Sequence, residues 1–434
     1  MKHLYKLITF AFCFPFLGIT QEKMAIEDAI ALALKNNYDI QLASNSMLQA
    51  DNSRSIYNSG YLPTLTGTGS ASYANNDNKL TNQAGVELDV PGVEATRYSG
   101  SVALNYVVYN GGSRKYNFEK LKNQYELASS QKKIQIENTL IDVYTTFYNV
   151  ARNQEQKNTL VEAYNISKER LERVTAQQKY GQKTTLDILN AKVDANADSI
   201  LLLNLSVQLQ NNMRNLNFLL GREINTTFQV AKEVNLDENL SYSTLLEQLK
   251  AENNQLKQIQ IKQAISEQDL KINRAGWLPS VSTSLGYGLN YADNGPAGFF
   301  AVQQSNGFNA ALNLNWNIFD GGTTKVRVQN AKIAMKTQDL NAKKLSLTLE
   351  NQLATFWAEY NTQKIIIKNE ETNVEISNQN FLKSKELFNL GKVTSIEYRQ
   401  AQLNLVNNKL NLLNATYNAK IAELQLKRFA GLLN

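Results

Sequence analysis

Residues 308–322 read Phe-Asn-Ala-Ala-Leu-Asn-Leu-Asn-Trp-Asn-Ile-Phe-Asp-Gly-Gly. Phe308, Ala310, Leu312, Leu314, Trp316 and Ile318 alternate with Asn309, Ala311, Asn313, Asn315 and Asn317, so a strand here has one apolar face and one wet face. Residues 281–291 do the same: Val281, Thr283, Leu285, Tyr287, Leu289 and Tyr291 alternate with Ser282, Ser284, Gly286, Gly288 and Asn290. About 11 residues at ~3.3 Å each, tilted by ~40°, rise ~28 Å, close to the apolar band of an outer-membrane barrel. A sandwich pair packed on helices is the competing reading of the same alternation. Residues 101–109 alternate with Val102, Leu104, Tyr106 and Val108 outward, whereas the Thr- and Gly-rich stretch 64–73 alternates weakly.

The stretch is also one copy of a repeat. Leu314 to Gly322 matches Leu104 to Gly112 (Leu-Asn-Tyr-Val-Val-Tyr-Asn-Gly-Gly) at an offset of 210 residues. Gly181-Gln182-Lys183-Thr184 matches Gly391-Lys392-Val393-Thr394 at the same offset, and Leu220-Gly221 matches Ala430-Gly431. Upstream, Gly60-Tyr61-Leu62-Pro63 matches Gly276-Trp277-Leu278-Pro279 at 216, as Asn37 matches Asn253. The change of offset puts one variable loop between the two strands of each half, as expected of a hairpin tip.

Within each half the pattern runs helix, strand pair, long helix, long helix. Residues 25–57 and 242–275 are rich in Ala, Leu, Gln, Lys and Ile and stop before the Gly-aromatic-Leu-Pro element. Gly112 to Gly181 and Gly322 to Gly391 each span 69 positions without internal Pro or Gly. Helices there could extend ~100 Å at 1.5 Å per residue. Ser113 and Thr323 follow the Gly-Gly pairs and are candidate N-caps. The return segments show steps of three and four: Leu186, Leu189, Val193, Asn196, Ile200, Leu203 and Val207 in one half, and Ile396, Arg399, Leu403, Val406, Leu410, Leu413 and Tyr417 in the other. Ile367, Val374, Phe381 and Phe388 recur every seven on the outgoing helix. Such seams predict antiparallel coiled-coil hairpins turning at Gly181 and Gly391.

The whole 434-residue chain is 43% hydrophobic, which excludes disorder, and only 19% charged, with Asn and Gln solvating the rest. Lys2, Lys6, the apolar run Leu7–Ile19 and the small residues Gly18 and Thr20 predict a secretory leader over residues 1–20. The single His3 and single Cys13 fall inside it, so the mature chain would lack both, as suits an oxidising periplasm. Phe12 before Cys13 argues against a lipid anchor. The formal charge of +6 has no basic cluster behind it, so no nucleic-acid partner is expected. After residue 20 no apolar run is long enough for a spanning helix, and a membrane role must use strands. Four strands cannot close a barrel, and open edges are not tolerated in lipid, so the barrel must be shared between chains. Composition alone leaves two chains or three open.

These landmarks resemble the TolC family of outer-membrane efflux channels over essentially the whole mature chain. The resemblance rests on Asn37-Tyr38-Asp39-Ile40 and Asn253-Asn254-Gln255-Leu256, the Tyr/Trp-Leu-Pro elements, the Tyr/Phe-Asn/Asp-Gly-Gly exits, Gly181 to Ala191, and Leu219-Leu220-Gly221. It implies an α+β membrane protein: duplicated helical hairpins forming an α-barrel, and four strands per chain contributing to a trimeric twelve-stranded β-barrel. It implies a homotrimer in outer-membrane lipid, with a helical tunnel in the periplasm, a periplasmic adaptor and an inner-membrane transporter. The chain would be the exit duct of tripartite efflux or type I secretion, with no cofactor. The expected organisation is a leader (1–20), a first repeat (21–221) and a second (222–434). The first holds strands at about 64–74 and 99–110 and a hairpin at 113–220; the second holds strands at about 280–292 and 308–319 and a hairpin at 323–430.

The resemblance also places a periplasmic gate at Asp187, Glu397 and Gln400, where a ring of carboxylates would favour cations. Gln400 is uncharged where some members carry an acid, and Val393 stands in place of a basic residue, leaving Lys183 or Lys392 as lock partners. The plainer reading of Asp187 and Glu397 is a pair of acids in the first turn of a helix, where the dipole favours them. Gly181, Lys183, Thr184, Gly391, Lys392 and Val393 match the tips that meet the adaptor; each glycine also fits an ordinary αL turn. No catalytic motif or metal-ligand cluster occurs, so an enzyme is not expected. A periplasmic coiled-coil scaffold or adaptor without a pore is the alternative.

Overall fold

The computed structural model describes residues 23–295 and 300–433; the expected leader, with His3 and Cys13, lies outside them. The first half runs β1 (Lys23–Met24), α1 (Ile26–Asn36), α2 (Tyr38–Ser53), β2 (Thr64–Thr81), β3 (Glu87–Asn110), α3 (Ser113–Lys179) and α4 (Thr185–Leu219). The second runs β4 (Gln229–Val230), α5 (Tyr242–Glu252), α6 (Asn254–Arg274), β5 (Ser280–Asp293), β6 (Val302–Asn315), α7 (Thr323–Asn389) and α8 (Ser395–Phe429). No helix among the described residues is long and apolar enough to cross a membrane. The compact units do not follow the repeats. Of the described residues, one unit gathers 136–245 and 353–433 with those up to Tyr38, and the other gathers those within 39–135 and 246–352.

The second of these units holds a four-stranded antiparallel sheet in the order β2-β3-β5-β6. Its register aligns the apolar residues on one face: Leu65 opposes Leu104, Leu104 opposes Leu285, and Leu285 opposes Ala310. Val102, Tyr287 and Phe308 form the next row of that face. The other face is small and polar, with Thr68 and Ser101 hydroxyls 2.8 Å apart and those of Ser70 and Ser99 2.7 Å apart.

Three details depart from the sequence expectation. β2 and β3 run past the expected 64–74 and 99–110, because they stay paired with each other out to Thr81↔Glu87. A β-bulge between Val107 and Tyr109 sets Tyr109 opposite Val281, so Val108 is the extra residue and Tyr109 takes the ladder position. β6 begins at Val302 and stops at Asn315, although its alternation continues to Ile318. Pairing ends at Ser280↔Asn315 because the next residue on the partner strand is Pro279, which has no N–H to donate. The Trp316 indole N–H donates instead to the Trp277 carbonyl at 3.2 Å.

The caps also sit three residues earlier than expected. Ser113 and Thr323 are the first helical residues of α3 and α7. The Asn110 side chain accepts the Arg114 N–H, and the Asp320 carboxylate accepts those of Gly322 and Thr324. The Gly-Gly pairs therefore carry the turn, with φ of 68° and 81° at Gly111 and Gly112, and the preceding Asn or Asp satisfies the freed donors. Gly111 is also packed tight: a Cβ there would lie 2.7 Å from the Ala275 carbonyl oxygen.

The expected helices 25–57 and 242–275 are each broken at an asparagine. Asn37 separates α1 from α2, and Asn253 N-caps α6 by accepting the N–H groups of Gln255 and Leu256. At Asn253 the side chain bonds nearby backbone and so competes with the helix ladder, whereas at Asn37 the backbone is extended, with ψ of 127°.

In the other unit, Leu140, Val143, Phe147 and Val150 of α3 pack with Leu209 and Leu216 of α4, Leu424 of α8 and Ala29 and Ala33 of α1. Two sequence landmarks meet here. Asn37 Nδ2 donates to the Leu219 carbonyl at 2.9 Å, and Gly221 takes φ of 62° against the Asn36 carbonyl, where a Cβ would approach to 2.6 Å.

Candidate functional site

The two hairpin tips are built alike. After α3 the Gly181 N–H bonds the Gln178 carbonyl and the Gln182 N–H bonds Gln177; after α7, Gly391 bonds Phe388 and Lys392 bonds Leu387. That is the Schellman pattern, and both glycines take φ of 72°. Each return helix then opens with a capping box. Thr184 Oγ1 accepts the Asp187 N–H at 3.2 Å while Asp187 Oδ2 accepts the Thr184 N–H at 2.9 Å and its hydroxyl at 2.8 Å. Thr394 and Glu397 repeat the arrangement at 3.2, 2.7 and 2.8 Å.

Those bonds hold both acids below the ordinary carboxylate range, chiefly through the Thr184 and Thr394 backbone N–H groups and next through their hydroxyls. A depressed folded-state pKa means the capping contribution is present above the unfolded value and is lost as pH falls through the folded one. Both acids are therefore ionised at neutral pH. Of the other residues singled out in sequence, Gln400 donates to Asn404 Oδ1 at 2.9 Å on its own helix. Val393 packs against a small apolar cluster in which the Tyr398 ring stacks on Phe388 at 4.8 Å and Phe381 at 5.6 Å. Among the described residues, neither Lys183 nor Lys392 lies within ion-pair distance of a carboxylate, Lys183 contributing only a minor long-range attraction to Asp187.

Farther along the hairpins is a buried polar cluster that the sequence reading passed over. Arg399 of α8 meets both carboxylate oxygens of Asp198 at 2.7 Å, with side-chain exposures of 10% and 5%. Its Nη1 also reaches Ser167 Oγ and Gln402 Oε1, and Ser167 donates to Asp198 at 2.6 Å. Gln402 donates back to the Ala163 carbonyl. On α3, Arg170 pairs with Asp194 and donates to the Ser395 carbonyl at the start of α8. The cluster thus ties α3, α4 and α8 together behind the tips. The available signal was Arg399 at an apolar seam position, and Asp194 and Asp198 four apart on one helix face.

The α4 seam needs a correction. Leu186, Leu189, Val193, Ile200, Leu203 and Val207 are more than half exposed. The contacts within the chain use a different heptad stripe, Ala191, Ala195, Asp198, Leu205, Leu209 and Leu216. Two apolar stripes on one helix both fit the three-four spacing, and only packing says which is spent inside the chain. The second-half seam is covered at Arg399 and Tyr417, half-buried from Leu403 to Leu413, and exposed at Ile396.

The comparisons with known proteins point one way. The family model described as outer membrane efflux protein matches residues 29–222 and 245–432. The outer membrane protein TolC of Vibrio cholerae is 26% identical over 197 residues, which cover 45% of this chain and 44% of that protein. Among solved structures, the Campylobacter jejuni CmeC outer membrane channel superposes with a TM-score of 0.80 at 19% identity, covering 94% of this chain and 85% of that one. The outer membrane protein VceC of Vibrio cholerae superposes at 0.75 with 15% identity over 94% and 96% of the two chains.

Proposed function

Because the chain belongs to the outer membrane efflux protein family, we propose that three copies close one twelve-stranded barrel in the outer membrane and continue it as a helical tunnel in the periplasm. The channel is the exit duct of a tripartite efflux or secretion system, fed by an inner-membrane transporter through a periplasmic adaptor. The observation that carries this reading is the sheet. Its apolar face runs across all four strands, and β2 and β6 are left as open edges. Lipid admits no such edges, so β2 of one copy must pair with β6 of the next. The exposed α4 stripe calls for a neighbouring helix for a different reason, since it leaves apolar side chains open to water.

The protein purified in non-denaturing detergent should therefore have the mass of a trimer by light scattering. A monomer would overturn the shared barrel.

Asp187, Glu397 and Gln400 fit the gate at the periplasmic mouth, and Gly181, Lys183, Thr184, Gly391, Lys392 and Val393 fit the adaptor-binding tips. Threefold symmetry would repeat each acid three times around the narrow end, where like charges are screened less than in bulk. Since each carboxylate already closes the capping box at the start of its own helix, removing it also weakens that helix start. Single-channel recording of Asp187→Ala/Glu397→Ala should show reduced cation preference. Raised conductance as well would assign the acids to the lock, whereas no change in either would reduce them to caps.

A further inference from the structure

We propose that the β2–β3 hairpins of three copies meet above the barrel through an apolar stripe made by Leu80, Val86, Leu88 and Val90, forming a hydrophobic collar at the outer mouth. The inference rests on the trimeric barrel proposed above and adds a second constriction to it. β3 pairs with β5 only from Thr96↔Asp293 onward, yet β2 and β3 stay paired out to Thr81↔Glu87. Nine residues of β3, 87–95, thus have β2 as their strand partner and extend ~30 Å at ~3.3 Å each past the shared sheet.

The sides of this extension are inverted relative to the barrel. Through the sheet, even-numbered residues of β2 lie on the wet face, as the Thr68–Ser101 and Ser70–Ser99 contacts mark, and Leu65 lies on the apolar face. No residue is inserted in β2 farther up, so Asn76, Asn78 and Leu80 stay on the wet side. On β3 the register jumps from Val93 to Val90 opposite Asn76 and Asn78, a bulge that absorbs Pro91 and Gly92. Gly92 takes φ of 67°, and its N–H donates to Asp77 Oδ1 at 2.7 Å, so both strands hold the bulge in place. Beyond it Val90 and Leu88, the partners of Asn78 and Leu80, fall on the wet side, and Val86 follows by parity.

The opposite side of the hairpin becomes charged. Asp77, Lys79, Glu87 and Asp89 stand where the lipid-facing residues stood lower down, with Lys79 and Glu87 3.3 Å apart. An apolar stripe meant for the outer leaflet would lie on that side. This one faces the axis of the barrel instead, and within one chain it is open: Leu80, Val86 and Leu88 are 46%, 60% and 59% exposed. Around a threefold axis, what lies across from it is the same stripe of the other two copies. Packing removes apolar surface from water, and a narrow apolar ring resists wetting and so resists ions.

The test uses the full chain in a Cys13→Ser background, which removes its single cysteine. Leu88→Cys and Val86→Cys, on the stripe, are compared with Asp89→Cys on the charged side, using a short bismaleimide on whole cells and light scattering on the purified samples. A covalent chain dimer from either stripe variant, with Asp89→Cys uncoupled, is the expected result. No coupling at both stripe positions in a trimer, or equal coupling on both sides, would overturn the collar while leaving the trimer standing. A monomeric mass would remove the barrel reading and the collar with it.

Discussion

Arg399→Met is expected to be among the most destabilising single substitutions in the chain, at ~3–5 kcal/mol, because it strands a buried charge. Asp198 would keep Ser167 as a donor but lose the guanidinium that meets both its oxygens. The cost arises from the unpaired carboxylate more than from the lost attraction, and that makes it separable. Arg399→Met combined with Asp198→Leu removes both charges and replaces them with apolar groups, so most of the loss should be recovered. Recovery will be incomplete, since Ser167 and Gln402 lose their shared partner and Asp194 lies 3.8 Å from Arg399 Nε. Thermal and denaturant unfolding in detergent for the two singles and the double would measure the coupling. A double variant as unstable as the sum of the singles would mean that charge pairing is not what holds these helices. The single variant should also loosen the tips, because the same cluster anchors the start of α8 through Arg170 and the Ser395 carbonyl.

The second large effect separates the two faces of the sheet. Leu314 opposes Val281 on the apolar face, and Asn315 opposes Ser280 on the other. If the first face meets lipid, an arginine on it should cost ~2–4 kcal/mol near the bilayer midplane, falling toward ~1 kcal/mol near an interface. Leu314 lies next to the end of β6, so the lower figure marks the periplasmic rim and Leu312→Arg or Phe308→Arg would sample greater depth. Asn315→Arg should insert and assemble, changing ion selectivity because its side chain faces water. Membrane-fractionated yield and trimer content of the two variants give the comparison. Equal tolerance would mean a sheet wetted on both sides.

Much of this was legible in the sequence because it depends on local chemistry. Alternation of period two assigns β5 and β6 and their apolar faces, since a one-residue shift would turn every side chain over. The paired landmarks locate both hairpins, as Gly181 and Gly391 can take the αL turn with no Cβ to strain it. Thr184 with Asp187 and Thr394 with Glu397 are the spacing of a capping box, visible without any coordinates.

Other features were decided by tertiary structure. Weakly patterned β2 is a regular strand because β3 supplies its ladder, and β6 ends early because Pro279 on the partner strand offers no donor. The caps of α3 and α7 fall to Asn110 and Asp320 once the glycine pairs are spent on the turn. On α4 two apolar stripes compete for the interior; packing of α3 and α8 selects the one with Ala191, Ala195 and Leu209 and leaves Leu189 and Val193 outside. Arg399 stands at a seam position, and its ion pair exists only because the fold brings Asp198 and Ser167, more than two hundred residues away in sequence, against it. Periodicity states that a face is apolar or charged. What that face meets depends on which distant residues the fold delivers, and a buried ion pair exists only once both partners have been carried out of water together.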